Sequence, residues 1–350
     1  MRCPWGVGML SHPDAALADT LPGVGAFPAS LTDTVFDALN GVPCLVLGAG
    51  GFLGRALCAA LQARGALVHA YGRSPAAGAQ AGADRITWTE AAFEDGPALT
   101  SALRGQEVVF HLLSSSLPDS SNRNPAGDVA SQVIPSIRLL EQCQALQLRK
   151  VVFASSGGTV YGIPSAVPTP EDASTMPISA YGINKLMVER YLELYRHLHG
   201  LDYHVLRIAN PYGPGQSPFK KQGVVAAMLH RALSGNAIEL WGTGEVTRDF
   251  IHVNDVSSAF LTAALYDGPH RTMNVGSGQG RSLNQIVADV RQVLSQPALP
   301  VVRKSARAAD VPVSVLDTSL IRRTTSWRPG VEWLDGLTET AQWMRTAYRH

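Results

Sequence analysis

The sequence predicts an α/β fold: a doubly wound parallel sheet followed by a smaller, mainly C-terminal α/β lobe. Three observations carry this. From residue 41 short apolar runs alternate with longer segments of helical texture, the pattern of repeated βα units whose strands are buried on both faces. A glycine-rich turn separates the first run from the first helix. After Pro211 the alternation breaks into turns rich in Pro and Gly and shorter elements.

In chain order the strand runs are CLVL at 44–47, LVHAY at 67–71, EVVFHLL at 107–113, VVFA at 151–154 and YHVLRI at 203–208. Beyond them come a turn region at 211–218, a helix over 224–233 and a strand over 237–241. The expected organisation is an irregular N-terminal extension at 1–40, a coenzyme-binding domain at 41–210 with return segments near 245–270, and a substrate-binding lobe mainly within 211–350.

Composition sets outer bounds. The 350 residues, 45% of them apolar, can build a large core. Lys and Arg number 29 against 28 Asp and Glu, with no basic block able to neutralise many phosphates, so no nucleic-acid partner is expected. No run approaches the ~18 apolar residues of a membrane span, and the N-terminal stretch lacks the charged and apolar regions of a signal peptide. Cys3, Cys44, Cys58 and Cys143 are scattered without metal-ligand spacing and read as small apolar residues in a reducing cytoplasm, with no metal site.

The first strand runs directly into GAGGFLG at 48–54. Glycines at 48, 51 and 54 leave backbone N–H groups unobstructed at a helix N-terminus, the geometry that receives a dinucleotide pyrophosphate; Phe52 and Leu53 begin the helix that follows. A coenzyme with a free ribose 2′-hydroxyl is usually met by an acid about 20 residues past these glycines. No acid lies between Gly54 and Asp84; the second strand instead ends in Gly72, Arg73 and Ser74, an arginine and a hydroxyl suited to a 2′-phosphate. NADP is therefore expected to bind at least as well as NAD.

In YGINK at 181–185, Tyr181 and Lys185 stand four apart within a segment whose apolar residues Ile183, Met187, Tyr191, Leu194 and Leu198 recur at helical spacing. A neighbouring ammonium favours phenolate over phenol, which lets a tyrosine exchange a proton at neutral pH.

These stretches, with VFHL at 109–112, SSGGTVYG at 155–162, RIANPYGPG at 207–215, RDFIHVND at 248–255 and NVGSG at 274–278, resemble the extended short-chain dehydrogenase/reductases, specifically the nucleotide-sugar epimerase/dehydratase branch. The resemblance covers about residues 42–348. It implies a Rossmann-type coenzyme domain, NAD or NADP as cofactor, a nucleoside-diphosphate sugar (a UDP-sugar foremost) as substrate, and a homodimer formed through helices flanking the fourth and fifth strands. Tyr181 would be the acid/base for a sugar hydroxyl, and Lys185 would hold the nicotinamide ribose. Asn210, Arg248, Arg307 and Asp310, the last two in RAADVP at 307–312, match the positions that contact the sugar nucleotide.

Three departures stand out. Relatives carry a Ser or Thr three residues before the Val-Tyr-Gly, where this chain has Gly157; Thr159 is the favoured substitute, reached through space opened by Gly157 and Gly158, and Ser156 the alternative. Dehydratases of this kind carry an Asp-Glu pair at 158–159, here Gly-Thr, which disfavours elimination of water. Ala92 and Gln132 stand where relatives have an acid and an asparagine. His111 and His252 read as core residues. The expected activity is epimerisation of a nucleotide sugar by transient oxidation, serving polysaccharide synthesis; the alternatives are an NADPH-dependent keto-sugar reductase and a non-catalytic coenzyme sensor.

Overall fold

The computed structural model describes residues 33–73, 86–114, 118–220, 223–305 and 311–348. Seven parallel strands form the central sheet: β1 (Pro43–Leu47), β2 (Leu67–Gly72), β3 (Ile86–Glu90), β4 (Val108–His111), β5 (Lys150–Ser156), β6 (Tyr203–Ile208) and, after a long excursion into the second lobe, β10 (Thr272–Val275). Their order is β10-β6-β5-β4-β1-β2-β3. The order reverses between β1 and β4, so a crevice opens at the C-terminal ends of those two strands, where open α/β sheets bind ligands.

Why the sheet is double-sided follows from alternation along each strand. Cys44 and Val46 enter one core with the Phe52–Ala63 and Val253–Leu265 helices, while Leu45 and Leu47 enter the other. The second core is completed by the Gly96–Leu103, Ile134–Ala145 and Ala180–His199 helices. With both faces covered, each fully buried Val, Leu or Ile contributes roughly 1.5–3 kcal/mol, which explains the near-continuous apolar runs.

The second lobe is built from β7 (Asn210–Tyr212), β8 (Ile238–Trp241), β9 (Thr247–His252), β11 (Gly280–Ser282), β12 (Val301–Lys304) and β13 (Val313–Ser314). β9 pairs with β7, β11 and β13, and β12 pairs with β8. Its own core joins the Val224–Leu233, Leu283–Leu294 and Trp333–Tyr348 helices through Leu229, Val290, Leu337 and Met344. Ala209 links β6 directly to β7, so the two lobes meet at the C-terminal edge of the central sheet. Arg55, one turn into the first βα helix, fastens that meeting by donating to the Gly215 carbonyl at 2.6 Å.

Among the described residues, no helix is long and apolar enough to cross a membrane. Cys44, Cys58 and Cys143 are buried free thiols, and burial pushes Cys44 and Cys58 up to about 12. Cys3 lies outside the described residues, as does most of the N-terminal extension.

Candidate functional site

The glycine turn after β1 is held from below: the N–H groups of Gly48 and Ala49 both donate to the Tyr71 carbonyl, at 2.9 and 3.2 Å. Gly51 precedes the Phe52–Ala63 helix and provides no side-chain cap, which leaves the first N–H groups of that helix for an anion. Gly54 has to be glycine here, because a Cβ on it would lie 2.1 Å from the Gly48 carbonyl oxygen and 2.7 Å from the Ala49 Cα. This cradle fits a dinucleotide pyrophosphate, with Phe52 and Leu53 half-buried beside it. Gly54→Ala is expected to displace the loop and weaken coenzyme binding by more than about tenfold, since each hydrogen bond to a charged group is worth ~1.5–3 kcal/mol. Calorimetric titration of the variant checks it, and unchanged affinity would contradict it.

At the end of β2, Gly72 faces Trp88 and the Gly50 amide, each about 4 Å from where a Cβ would stand. Arg73 follows it and is exposed; Ser74 lies outside the described residues. Sequence reading missed a carboxylate at this edge. Glu90, exposed at the end of β3, pairs in register with Gly72 and places an acid one strand away from the position where it was sought along β2. A free 2′-hydroxyl favours Glu90 and a 2′-phosphate favours Arg73. Arg73→Ala should lower the NADP to NAD affinity ratio and Glu90→Gln should raise it, each by roughly tenfold; a ratio that does not move removes that residue from coenzyme selection.

Tyr181 and Lys185 lie in the first two turns of the Ala180–His199 helix. Two contacts fix that helix start: Ser179 caps the Gly182 N–H at 3.2 Å, and the Ala180 N–H donates to Asn122 at 2.8 Å. Lys185 is buried, donates to the Ala154 carbonyl at 2.8 Å and stands 4.8 Å from the Phe153 ring centre and 5.8 Å from that of Tyr181. Burial lowers the Lys185 ammonium to about 8, against the upward pull of the Glu189 and Asp128 carboxylates. Burial raises the Tyr181 phenol, a hydrogen bond with Ser114 lowers it, and the Asp128 charge raises it.

Asp128 is a hub that sequence reading did not identify. It is buried in the segment after β4 and accepts hydrogen bonds from Ser121 and, at 2.7 Å, from Asn184, the neighbour of Lys185. A cavity of about 10 Å³, lined by His111, Ser114, Asp128, Tyr181, Asn184 and Lys185, lies behind the pair. His111 is a core residue, its ring 5.1 Å from both Phe93 and Phe153 and its Nε2 paired with Ser136 at 2.9 Å. His252 is buried against Tyr212.

The 155–162 turn differs from expectation at the point that mattered most. Of the two glycines expected to open a space, Gly158 does, with nothing within 4 Å of where its Cβ would stand, whereas at Gly157 the Leu316 Cδ1 lies 2.5 Å from the Cβ position and fills the room a side chain would take. The Thr159 Oγ1 is enclosed and has no hydrogen-bond partner. Ser155 is buried and bonded to Glu189. Ser156, half-buried at the end of β5, leaves the strand on the face opposite Ser155 and so away from the helix of Tyr181.

Toward the second lobe, Asn210 on β7 and Arg248 on β9 lie on paired strands, both half-buried. The Asn210 amide donates to the Asp249 carbonyl at 3.0 Å, and Arg248 donates to the Thr247 carbonyl at 2.9 Å. Arg207, at the head of the motif that contains Asn210, is instead a core residue, paired with Glu189 at 2.7 Å and bonded to the Tyr161 hydroxyl at 3.0 Å. Arg307 and Asp310 lie outside the described residues.

A glycine-cradled helix N-terminus beside a Tyr/Lys pair, both at the C-terminal edge of a parallel sheet, defines a nicotinamide-coenzyme enzyme of the short-chain dehydrogenase type. The chain belongs to the NAD dependent epimerase/dehydratase family, whose model matches residues 44–276. It is 34% identical over 308 residues to a UDP-glucose 4-epimerase of Mycolicibacterium smegmatis, covering 86% of this chain and 98% of that one. Among solved structures, the UDP-glucose 4-epimerase of Thermotoga maritima with UDP-glucose matches with a TM-score of 0.83 and 34% identity, covering 88% of this chain and 100% of that one. The NAD complex of the Thermus thermophilus UDP-glucose 4-epimerase matches with a TM-score of 0.80 and 28% identity, covering 87% and 99%.

Proposed function

We propose that this protein is an NAD(P)-dependent epimerase of a UDP-hexose, inverting one carbinol carbon, with C4 of UDP-glucose as the first substrate to test. The observation that carries it is the Tyr181–Lys185 pair beside the glycine cradle, next to a turn that holds no carboxylate at 158–159 for eliminating water. The UDP-glucose 4-epimerases of M. smegmatis and T. maritima support the choice of substrate.

NAD or NADP, held by the Gly48–Gly54 turn, would supply a reversible hydride acceptor for the sugar carbon. The glycine turn and the open helix end hold the pyrophosphate. Tyr181 accepts the proton of the sugar hydroxyl at its phenolate oxygen and later returns it, so the protein ends each cycle as it began. Lys185 favours that phenolate by its charge and orients the nicotinamide ribose. Asn210 and Arg248, with Arg307 and Asp310, grip the sugar nucleotide; guanidinium forks suit phosphate oxygens.

The lobes divide the work, with residues 41–210 and the return segments near 245–270 holding coenzyme and the rest of 211–350 holding substrate. A homodimer and a cytoplasmic location belong to the same reading. Ile183, Leu194 and Leu198 form an exposed apolar stripe on the Ala180–His199 helix, and Ile134 and Leu146 are exposed at the two ends of the helix beside it. The buried free thiols suit a reducing compartment.

Mass spectrometry of nucleotides released on denaturation, followed by incubation with UDP-glucose and no added coenzyme, tests the reading. Retained NAD and formation of the 4-epimer are expected. No bound nucleotide, together with NADPH consumption on a keto-sugar nucleotide, would replace the epimerase by a reductase.

A further inference from the structure

We propose that Ser114, just past the end of β4, is the hydroxyl that shares the Tyr181 proton, in place of the one this chain lacks at position 157. The inference rests on the acid/base reading of Tyr181. Three observations lead to it. Position 157 has no room for a side chain, because besides the Leu316 methyls at 2.5 and 3.0 Å the Arg207 carbonyl oxygen lies 3.1 Å from where a Cβ would stand. Of the two hydroxyls nearest in sequence, that of Thr159 is enclosed and bonds to no group, and Ser156 lies on the opposite face of β5 from Ser155. Ser114, by contrast, is exposed at the crevice and hydrogen-bonded to the Tyr181 hydroxyl. The glycine cradle abuts the same strand end, since a Cβ on Gly48 would lie 3.2 Å from the backbone of Leu112 and Leu113.

The chemistry is simple to state. When Tyr181 is a phenolate, Ser114 donates its hydrogen to the phenolate oxygen and stabilises the charge without giving the proton up. When Tyr181 has taken the sugar proton, the serine oxygen can accept the phenol hydrogen. Nothing is consumed and no charge is created, so Ser114 acts as a positioning residue that lowers the cost of the phenolate.

The groups around Tyr181 do not duplicate this. Burial and Asp128, from the segment after β4, oppose the phenolate; Lys185, on the same helix with its ammonium 5.8 Å from the Tyr181 ring centre, favours it by its charge. His111, on β4, is held down to about 3 by burial and by Lys185, and so stays neutral across the working range. Glu189, one turn beyond Lys185, acts on the lysine and is committed to Arg207 and Ser155.

The test uses the full chain with its coenzyme, comparing Ser114→Ala, Ser114→Thr, Thr159→Val and Tyr181→Phe. Ser114→Ala should raise the acidic limb of the kcat profile and cut kcat at neutral pH about tenfold, the effect of one unit on a tyrosine pKa. The deficit should shrink as pH rises toward the range of the Tyr181 phenol itself, where the phenolate forms without the serine. Ser114→Thr should restore kcat. Ultraviolet difference titration of the coenzyme-free protein, with Tyr181→Phe as the subtracted reference, should show the Tyr181 phenolate forming at higher pH in Ser114→Ala. A Ser114→Ala profile and titration equal to wild type would overturn the proposal, and a deficit found only in Thr159→Val would give the role to Thr159. Turnover retained by Tyr181→Phe would instead remove the acid/base reading itself.

Discussion

Tyr181→Phe should lower turnover by about 10²–10⁴-fold, the usual contribution of a positioned acid/base group, while coenzyme binds within a few-fold of wild type. Only the hydroxyl is removed. The ring still fills its place at the helix start, and Lys185 keeps its bond to the Ala154 carbonyl. Steady-state kinetics beside a coenzyme titration separates the two effects: loss of kcat with intact binding supports the role, and turnover near wild type removes it. The same pair sets the alkaline side of the profile. With its ammonium lowered by burial to about 8, Lys185 becomes neutral above that pH, and kcat/KM of the wild-type enzyme should fall there because the phenolate loses its neighbouring charge.

Arg207→Met should cost about 3–5 kcal/mol of stability, the penalty for leaving one member of a buried ion pair alone. Arg207 and Glu189 have side chains only 6% exposed, so neither charge can turn to water. The arginine also bonds Tyr161 and the Glu171 carbonyl, Tyr161 donates to Asn274 at 2.7 Å, and the Asn274 N–H donates to Glu171 at 2.8 Å. One substitution therefore strips a partner from Glu189 on the Ala180–His199 helix, from Tyr161 in the turn after β5 and from the 169–171 segment together. The measurement is chemical denaturation of Arg207→Met, Glu189→Gln and the double variant. The double variant should be more stable than the sum of the single losses implies, because it leaves no isolated charge; strict additivity would show that the pair is not coupled.

How much of this was legible beforehand depends on distance along the chain. The glycine turn and the Tyr181–Lys185 pair are local patterns, each complete within a few residues of one βα unit or one helix, and the structure places them as read. β3 escaped the list of strand runs because it is an edge strand, ITWTE, half polar and only partly buried, with no continuous apolar signal. With it went Glu90, whose place beside Gly72 is a fact of register and not of sequence spacing. Leu316 against Gly157 joins residues 159 positions apart, and no local pattern announces it. Ser114 and Asp128 meet Tyr181 and Asn184 only because β4 and the Ala180–His199 helix are brought together by the sheet. The stripe Ile183, Met187, Tyr191, Leu194 and Leu198 located the helix correctly, yet Ile183, Leu194 and Leu198 face outward, while Lys185, Val188, Glu189 and Leu192 face in. Periodicity finds a helix; it does not tell a core face from an exposed apolar face.

The most direct measurement is epimerisation of a nucleotide sugar in deuterium oxide with no added coenzyme, followed by nuclear magnetic resonance. Transient oxidation and hydride return predict an epimer that accumulates to equilibrium and keeps ordinary hydrogen on the inverted carbon, since that hydrogen never enters the solvent. Deuterium at that carbon, or no epimer from any nucleotide sugar while coenzyme is consumed, would contradict it.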